Sequence, residues 1–389
     1  MANYTRRSGH PEGFTHKSED DRKSSALSEV KQSVEETKEE TAYSPDELKH
    51  ILQNIKSDDI ISVPTDETQG ILEKFRSYEQ LKVELGDMNM SVKSDIEILR
   101  ELFVKFKQTS ANTTLLHEDK ESQIVYILED FEYLVHQIDN ANEFVSLDGF
   151  NVVIYHNLNS TNVRVKCESL SVLAACVQNN GKAQIHALES GAVDKVIKIL
   201  ALDANIDVKL RAVYALSSLL RRFPLAQKYF IKNGGLNVFT SVFSKSENIK
   251  LQVKIVTLIY DLLMEHQDAV HGHADNVERL RQYREVDLKA KLIELGWCKT
   301  FNGLLVTSVL VEANDHDTVE RCLHVMTLVS DGCLATFNND RLRTVLGELY
   351  QNYTQLSIAE GTTDSYYNSL KELTHSLLKH INSYRKTEL

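Results

Sequence analysis

The sequence predicts an all-α protein: a helical solenoid that follows a disordered N-terminal arm. Only 4 prolines and 15 glycines occur among 389 residues, which favours long helices over strands joined by turns. Residues 1–43 are rich in charged, serine and threonine side chains and poor in large apolar ones, so they cannot bury enough surface to fold alone. Beyond them, similar helical segments recur at a nearly constant spacing, which indicates a stack of structural repeats.

A helical N-terminal region is expected at 44–115, between the arm and the repeats. Ser44 can cap a helix whose first residue is Pro45, and Glu47 lies where it completes a capping box. Proline suits that first position because its missing N–H would have no helical partner there. We expect short helices at roughly 45–56, 66–85 and 92–108.

Three glycines mark the repeats. Gly149 in "SLDGF", Gly191 in "ESGAV" and Gly234 in "KNGGL" stand 42 and 43 residues apart, and each opens a helical segment, a polar loop and a longer helix. An earlier copy contains "SQIVYILEDFEYLVHQI", and a later one begins at "LGWCKTFNGLL" after the insertion "GHADNVERLRQYREVDLKAK". A period of about 40–47 residues with two or three helices is typical of armadillo and HEAT solenoids. We therefore predict an armadillo-like, right-handed helical solenoid over 116–382, followed by a C-terminal tail at 383–389.

The long helix of each repeat carries polar side chains beside its apolar stripe. In the copy that follows Gly191, these are Arg211, Tyr214 and Ser218. The segment "KLRAVYALSSLL" resembles the third helix of armadillo repeats, with Tyr214 where that family usually has tryptophan and Ser218 where it has asparagine. The matching positions of all copies form what we call the polar edge. Its members are Tyr126, Glu129, Tyr133, Glu168, Ser171, Arg211, Tyr214, Ser218, Lys254, Thr257 and Asp261.

The polar edge allows two interpretations. In the simpler one it is a solvated helix face and nothing more. However, Tyr126, Tyr133 and Tyr214 all fall on it, and aromatic side chains are enriched at the centres of protein interfaces. The sequence therefore favours a partner-binding surface that runs across successive repeats.

The charge of the chain limits its partners. A formal net charge of −12 disfavours nucleic acid and anionic membranes, because both present dense negative charge. No run of about eighteen apolar residues is present, so we expect no membrane span. The start, "MANYTRRSGHPEGFTHKSEDDRKS", is polar throughout and unlike a secretory leader.

Motifs that carry catalysis are missing from the sequence. It contains no GxxxxGK[ST], GxGxxG, GxSxG or HExxH pattern, so we expect neither an enzyme nor a bound cofactor. His266, His271 and His273 have a spacing that fits no standard metal site, and no metal is expected. Five cysteines lie in apolar helical patterns without a CxxC pair, and we expect buried free thiols. They are Cys167, Cys176, Cys298, Cys322 and Cys333.

Longer stretches resemble one family. "VKLRAVYALSSLLRRFPLAQKYFIKNGGL", "VKIVTLIYDLLMEH", "QYREV", "ELGWCKTFNGLL" and "SYYNSLKELTHSLLKHIN" are similar to the armadillo-type nucleotide exchange factors of heat-shock chaperones, in particular to those of the endoplasmic reticulum that serve BiP. The resemblance covers 116–382. It implies a protein that embraces the ATPase domain of the chaperone with its concave face, favours an open cleft and expels ADP. The region before the solenoid is similar in placement to a flexible segment that this family links to release of chaperone substrate. We expect a monomer.

Both ends of the sequence bear on its location. Lys386, Thr387, Glu388 and Leu389 resemble a variant of the KDEL retrieval signal of lumenal proteins. Asn-x-Ser/Thr sequons agree with a lumenal glycoprotein. They begin at Asn3, Asn89, Asn112, Asn159 and Asn352. The polar start argues against targeting to the lumen, but we favour the lumen of the endoplasmic reticulum over the cytosol.

Two alternative functions stay open. The chain is an exchange factor for the cytosolic chaperone in the first, and an armadillo adaptor for extended peptides without exchange activity in the second. Such an adaptor needs a continuous ladder of groove asparagines. Here Ala175, Ser218 and Asp261 occupy those positions, so the ladder is broken.

Overall fold

The computed structural model describes residues 80, 81, 83, 93–114, 116–271, 277–311, 315–361 and 366–388. The expected arm, the helix at 45–56 and most of the helix at 66–85 lie outside the described residues. The helix expected at 92–108 is confirmed as α1 (Asp95–Ala111). Its start is a capping box, in which the Ser94 hydroxyl accepts from the Glu97 N–H while the Glu97 carboxylate accepts from the Ser94 N–H.

All regular secondary structure in the described residues is helical, and they contain no β-strand. None of their helices is long and apolar enough to cross a membrane. A short π-helix covers Phe150–Tyr155. The α-helices after α1 are α2 (His117–Val135), α3 (Ile138–Ser146), α4 (Val163–Val177), α5 (Gly181–Glu189), α6 (Ala192–Leu202), α7 (Ile206–Leu220), α8 (Pro224–Lys232), α9 (Gly235–Lys245), α10 (Ile249–His271), α11 (Val277–Arg284), α12 (Leu288–Glu294), α13 (Trp297–Val311), α14 (His316–Phe337), α15 (Asp340–Glu360) and α16 (Tyr366–Glu388).

These helices confirm the predicted armadillo-like solenoid. Three-helix units recur as α3, the π-helix and α4; then α5, α6 and α7; then α8, α9 and α10; and finally α12, α13 and α14. The long helices α2, α4, α7, α10, α14 and α16 pack one against the next in that order. The insertion supplies α11, which packs against α8 and α10. One apolar core runs through the stack from Leu99 to Ile381, so each repeat buries its apolar side against its neighbours.

The turn before the second helix of each repeat shows which residues occupy equivalent positions in successive repeats. Gly191, Gly234 and Gly296 have φ angles of 73, 77 and 80°, in the left-handed region that glycine adopts without a steric penalty. In the first repeat Asp148, with φ of 60°, takes this position, whereas Gly149 has φ of −58°. The prediction that Gly149 is equivalent to Gly191 was therefore wrong by one residue.

The expectation for the cysteines was wrong for two of the five. Cys298 and Cys333 form a disulfide that joins α13 to α14, with their Cα atoms 5.5 Å apart. Cys167, Cys176 and Cys322 are buried free thiols, as predicted. The pair was missed because 35 residues separate the two cysteines, and only the packing of the two helices brings them together.

Candidate partner-binding surface

The polar edge crosses four neighbouring helices, α2, α4, α7 and α10. Ion pairs join residues of the polar edge to the neighbouring long helix. Arg164 on α4 binds the Glu129 carboxylate on α2, with 2.8 Å between Nη2 and Oε1. Arg221, directly after α7, forms an ion pair with Asp261 on α10. Because the long helices pack side by side, residues that recur at the repeat spacing lie along one continuous surface.

The tyrosines on α2 are the most exposed aromatic side chains of the polar edge. Tyr126 is 63% and Tyr133 is 78% accessible to solvent. They lie seven residues apart, two turns of one helix, and therefore face the same direction. Leu116 and Ile138, just before and just after α2, are exposed as well. Apolar and aromatic surface is thus concentrated at this end of the described solenoid.

In the middle of the surface, the polar edge combines exposed and half-buried side chains. Arg211 and Lys254 are exposed, whereas Tyr214, Thr257 and Glu168 are intermediate. An intermediate tyrosine keeps accessible ring area while its neighbours already restrict its rotamers. Such a side chain loses little conformational entropy when a partner covers it.

Two predicted contact residues lie beneath this surface. Ser171 is 0% exposed, so the prediction that it lies on an exposed edge was wrong; Ser218 is 7% exposed and reaches the surface only where it lines a pocket. Ser171 is covered because α4 packs against α2 on one side and α7 on the other, and a short side chain does not reach past them. The Ser218 carbonyl oxygen accepts a 2.9 Å hydrogen bond from the Gln184 amide, which ties α7 to α5.

A pocket of about 340 Å³ lies between α7 and α10. It brings four polar-edge residues together: Tyr214, Ser218, Lys254 and Thr257. The register prediction therefore placed residues from two repeats correctly beside one another. The other lining residues are Gln178, Asn179, Val213, Ser217, Arg221 and Leu258.

Sequence reasoning missed one wall of this pocket, the turn Gln178–Asn179 that follows α4. Asn179 has φ of 54°, a left-handed conformation that asparagine tolerates better than most residues. It reverses the chain between α4 and α5, and both residues of the turn line the pocket. An asparagine directly after an apolar helical pattern is the signal that indicates such a turn.

Half-buried carboxylates on the polar edge are balanced by arginines of a neighbouring repeat. Burial raises the pKa of Glu168, and the positive charge of Arg211 partly offsets that rise. Burial likewise raises the pKa of Asp261, and the charge and hydrogen bond of Arg221 offset it. Arg321 on α14 also lies near Asp261 and sits 6.0 Å from the ring centroid of Tyr260. Alternating charges thus bind successive repeats to one another along this face.

The histidine group gives no support for a metal. Within the described ranges, no set of three or more histidine, cysteine, aspartate or glutamate side chains converges on one point. His266 instead bonds the Gln227 side-chain oxygen through Nε2 at 2.8 Å, and burial lowers its pKa to about 4. His273 and the side chain of His271 lie outside what the structure describes.

The sequons and the tail are only partly covered. Asn159 lies exposed between the π-helix and α4, Asn352 lies exposed on α15, and Asn112 caps the end of α1. Asn3, Asn89 and Leu389 fall outside the described residues. Residues 386–388 belong to α16, and nothing is described of their side chains. Glycosylation and retrieval therefore stay predictions.

Comparison with known proteins gives one consistent family. Residues 140–382 match the family described as the SIL1/FES1/HPBP1 C-terminal domain. The nucleotide exchange factor SIL1 of Mus musculus is 35% identical over 350 residues, which cover 87% of this chain and 72% of the relative. The SIL1 protein of Xenopus laevis is 32% identical, with 86% and 72% covered. Hsp70-binding protein 1 of Homo sapiens is 27% identical over 141 residues, with 36% and 39% covered.

Among solved structures, an engineered protein matches with a TM-score of 0.50 at 15% identity. The match covers 75% of this chain and 98% of the engineered one. A designed armadillo repeat protein matches with a TM-score of 0.49 at 13% identity, over 72% of this chain and 99% of its own. At such low identity, the first likeness concerns the helical fold alone.

Proposed function

This chain belongs to the SIL1/FES1/HPBP1 family of nucleotide exchange factors for Hsp70 chaperones, and from this premise we propose that it serves the lumenal chaperone BiP. In this proposal the polar edge binds the ATPase domain of the chaperone, favours its open cleft and thereby promotes release of ADP. The observation that carries the proposal is the continuous surface across α2, α4, α7 and α10, on which the two exposed tyrosines of α2 and charged side chains of successive repeats lie along one face.

The proposed mechanism depends on linked binding equilibria and does not require this chain to catalyse a reaction. If the solenoid binds the open, nucleotide-free ATPase domain more tightly than the closed ADP-bound one, the affinity for ADP must fall by the same factor. A coupling free energy of about 1–3 kcal/mol lowers that affinity roughly 5- to 150-fold. The chain contributes a rigid surface of fixed shape, and the conformational change occurs in the chaperone.

The surface does not favour a peptide adaptor. Of the three positions where such an adaptor carries groove asparagines, Ala175 and Ser218 are buried. Asp261 is held by its ion pair with Arg221. No ladder of free side-chain amides is therefore available along these helices to bind the backbone of an extended peptide.

The lumen of the endoplasmic reticulum is the proposed location. Disulfides form and persist in oxidising compartments and are rare in the cytosol, so the Cys298–Cys333 bond supports the lumen. The similarity to SIL1 proteins points the same way. Service to the cytosolic chaperone is the alternative that the experiment below distinguishes.

The test is stopped-flow release of fluorescent ADP from the lumenal and the cytosolic chaperone, measured side by side with increasing amounts of this protein. We expect acceleration with the lumenal chaperone and a weaker effect on the cytosolic one. Equal release rates with and without the protein would refute exchange activity. Acceleration of the cytosolic chaperone alone would refute the proposed partner and location.

A pull-down separates exchange from simple attachment. An exchange factor should retain the chaperone without nucleotide and lose it when ATP is added, because ATP and the exchange factor favour different states of the ATPase domain. Retention that is the same with ATP, with ADP and without nucleotide would instead support an adaptor.

A further inference from the structure

The pocket between α7 and α10 has a charge that differs from that of the chain as a whole. The chain carries 56 acidic and 44 basic residues, yet the pocket is lined by Lys254 and Arg221 and by no carboxylate. The remaining polar groups that line it are amides and hydroxyls, which can donate hydrogen bonds. The pocket is therefore a local cationic, donor-rich site in an acidic protein.

The two cations differ in how they are held. Arg221 is fixed by its ion pair with Asp261, which neutralises much of its charge and orients the guanidinium. Lys254 is exposed and has no ion-pair partner among the residues that the structure describes. Lys254 is thus the positive charge of this pocket that is available to a ligand.

Aromatic surface lies beside this charge. Tyr214 lines the same pocket and is half-buried against the apolar core. A carboxylate carried on one or two methylene groups fits such a site, because the methylenes contact the ring while the charged end meets the ammonium group and the donors.

We propose that this pocket receives an aspartate or glutamate side chain presented by the ATPase domain of the chaperone, with Lys254 as its counter-charge. The proposal rests on the proposed function, since the acidic side chain must be delivered by that partner. A free anion would gain little here, because one exposed lysine in a solvent-accessible pocket provides a weak, salt-screened attraction. A side chain held in place by a larger interface has a high effective concentration and does not face that limit.

The experiment compares two substitutions of Lys254 with a matched control. Lys254→Gln removes the charge, Lys254→Glu reverses it, and Lys198→Glu makes the same reversal at an exposed lysine of α6 that does not line the pocket. We expect Lys254→Gln to weaken binding of the ATPase domain about 10-fold and Lys254→Glu to weaken it further. Lys198→Glu should bind as wild type, and all three proteins should melt alike.

A charge-reversal series on the partner identifies the acidic side chain. Exposed aspartates and glutamates of the ATPase domain are changed to lysine one at a time and combined with Lys254→Glu. We expect one of these partner variants to bind Lys254→Glu better than the wild-type ATPase domain does, and to bind the wild-type protein less well. The two charges are then swapped between the partners, so an oppositely charged pair is kept. A second measurement titrates wild type with inorganic phosphate and with ADP, and neither should bind at millimolar concentration.

Several results would overturn the pocket assignment. Binding of Lys254→Gln that matches wild type would show that the lysine makes no contact with the partner. A series without any restoring reversal would show that no acidic side chain of the ATPase domain pairs with it, and tight binding of free phosphate or ADP would make the pocket a small-anion site instead. Wild type that binds the ATPase domain without accelerating ADP release would refute the exchange function and leave the pocket test valid. Wild type that binds no chaperone would refute both.

Discussion

A β-carbon added at Gly235 would lie 2.2 Å from a ring carbon of Phe230, five residues earlier on α8. The first repeat contains the same relationship, because a β-carbon at Gly149 would lie 2.4 Å from the ring of Phe144. The second repeat has alanine at both corresponding positions, Ala187 and Ala192, and both are fully buried. Where the first helix of a repeat carries phenylalanine at this position, the second helix begins with glycine. Where the first helix carries alanine there, the second helix begins with alanine.

The first prediction concerns this close approach. Gly235→Ala should lower the free energy of unfolding by about 1–3 kcal/mol, because the added methyl group overlaps a buried ring that has little room to move. Thermal or urea unfolding measures the change. Phe230→Leu should cost stability by itself but should make Gly235→Ala less harmful when the two are combined.

Gly303 provides the matched control for that prediction. It lies within α13, and a β-carbon there would meet no atom within 4 Å. Gly303→Ala should therefore leave stability unchanged or raise it by up to about 1 kcal/mol, since alanine favours helix. Equal effects of the two glycine substitutions would contradict the packing argument.

The second prediction concerns the repeat core. Leu216 on α7 is fully buried, and Leu216→Asp places a charge there without a partner. We expect a loss of more than about 3 kcal/mol, with faster hydrogen exchange in α4 and α10 as well as in α7, because neighbouring repeats stabilise one another. Lys198→Asp on the exposed side of the neighbouring α6 is the control and should change stability by less than about 1 kcal/mol. A disturbance confined to α7 would argue against coupling between repeats.

Much of the fold could be predicted from the sequence. Helix periodicity is a local pattern, and the spacing of 42–43 residues between similar segments is visible along the chain. The same spacing placed Tyr214 and Lys254, from different repeats, beside one pocket. Exposure was harder to predict, since it depends on how closely neighbouring helices approach. Ser171 sits at a polar position of the period and is nonetheless covered from both sides.

The third prediction concerns the disulfide between α13 and α14. The chain-entropy model gives about 3–4 kcal/mol for a loop closed across 35 residues, so Cys298→Ala/Cys333→Ala should lower the free energy of unfolding by that order. A reducing agent should lower the stability of wild type similarly and should leave the double variant unaffected. Wild type that melts identically with and without reductant would show that the bond does not stabilise the domain.

The fourth prediction concerns Tyr214, on which the proposed binding surface depends most directly. Its ring is half-buried at the centre of the polar edge, so a partner that covers this surface also covers the ring. Truncation of such an interface aromatic costs about 2 kcal/mol, or roughly 30-fold in Kd. Tyr214→Ala should therefore weaken binding of the chaperone and slow catalysed ADP release in proportion, with a melting temperature close to that of wild type.

Ile358 on α15 separates an effect of position from an effect of lost apolar surface. It is a large, exposed apolar side chain outside the polar edge, and Ile358→Ala should leave both binding and ADP release unchanged. If Tyr214→Ala releases ADP as fast as wild type, the contact surface lies elsewhere on the solenoid. If its release rate falls only together with its melting temperature, Tyr214 supports the core and the polar edge loses its central anchor. A loss of binding with unchanged melting is the one result that places the ring at the interface, because only there does its removal act on the complex and not on the fold.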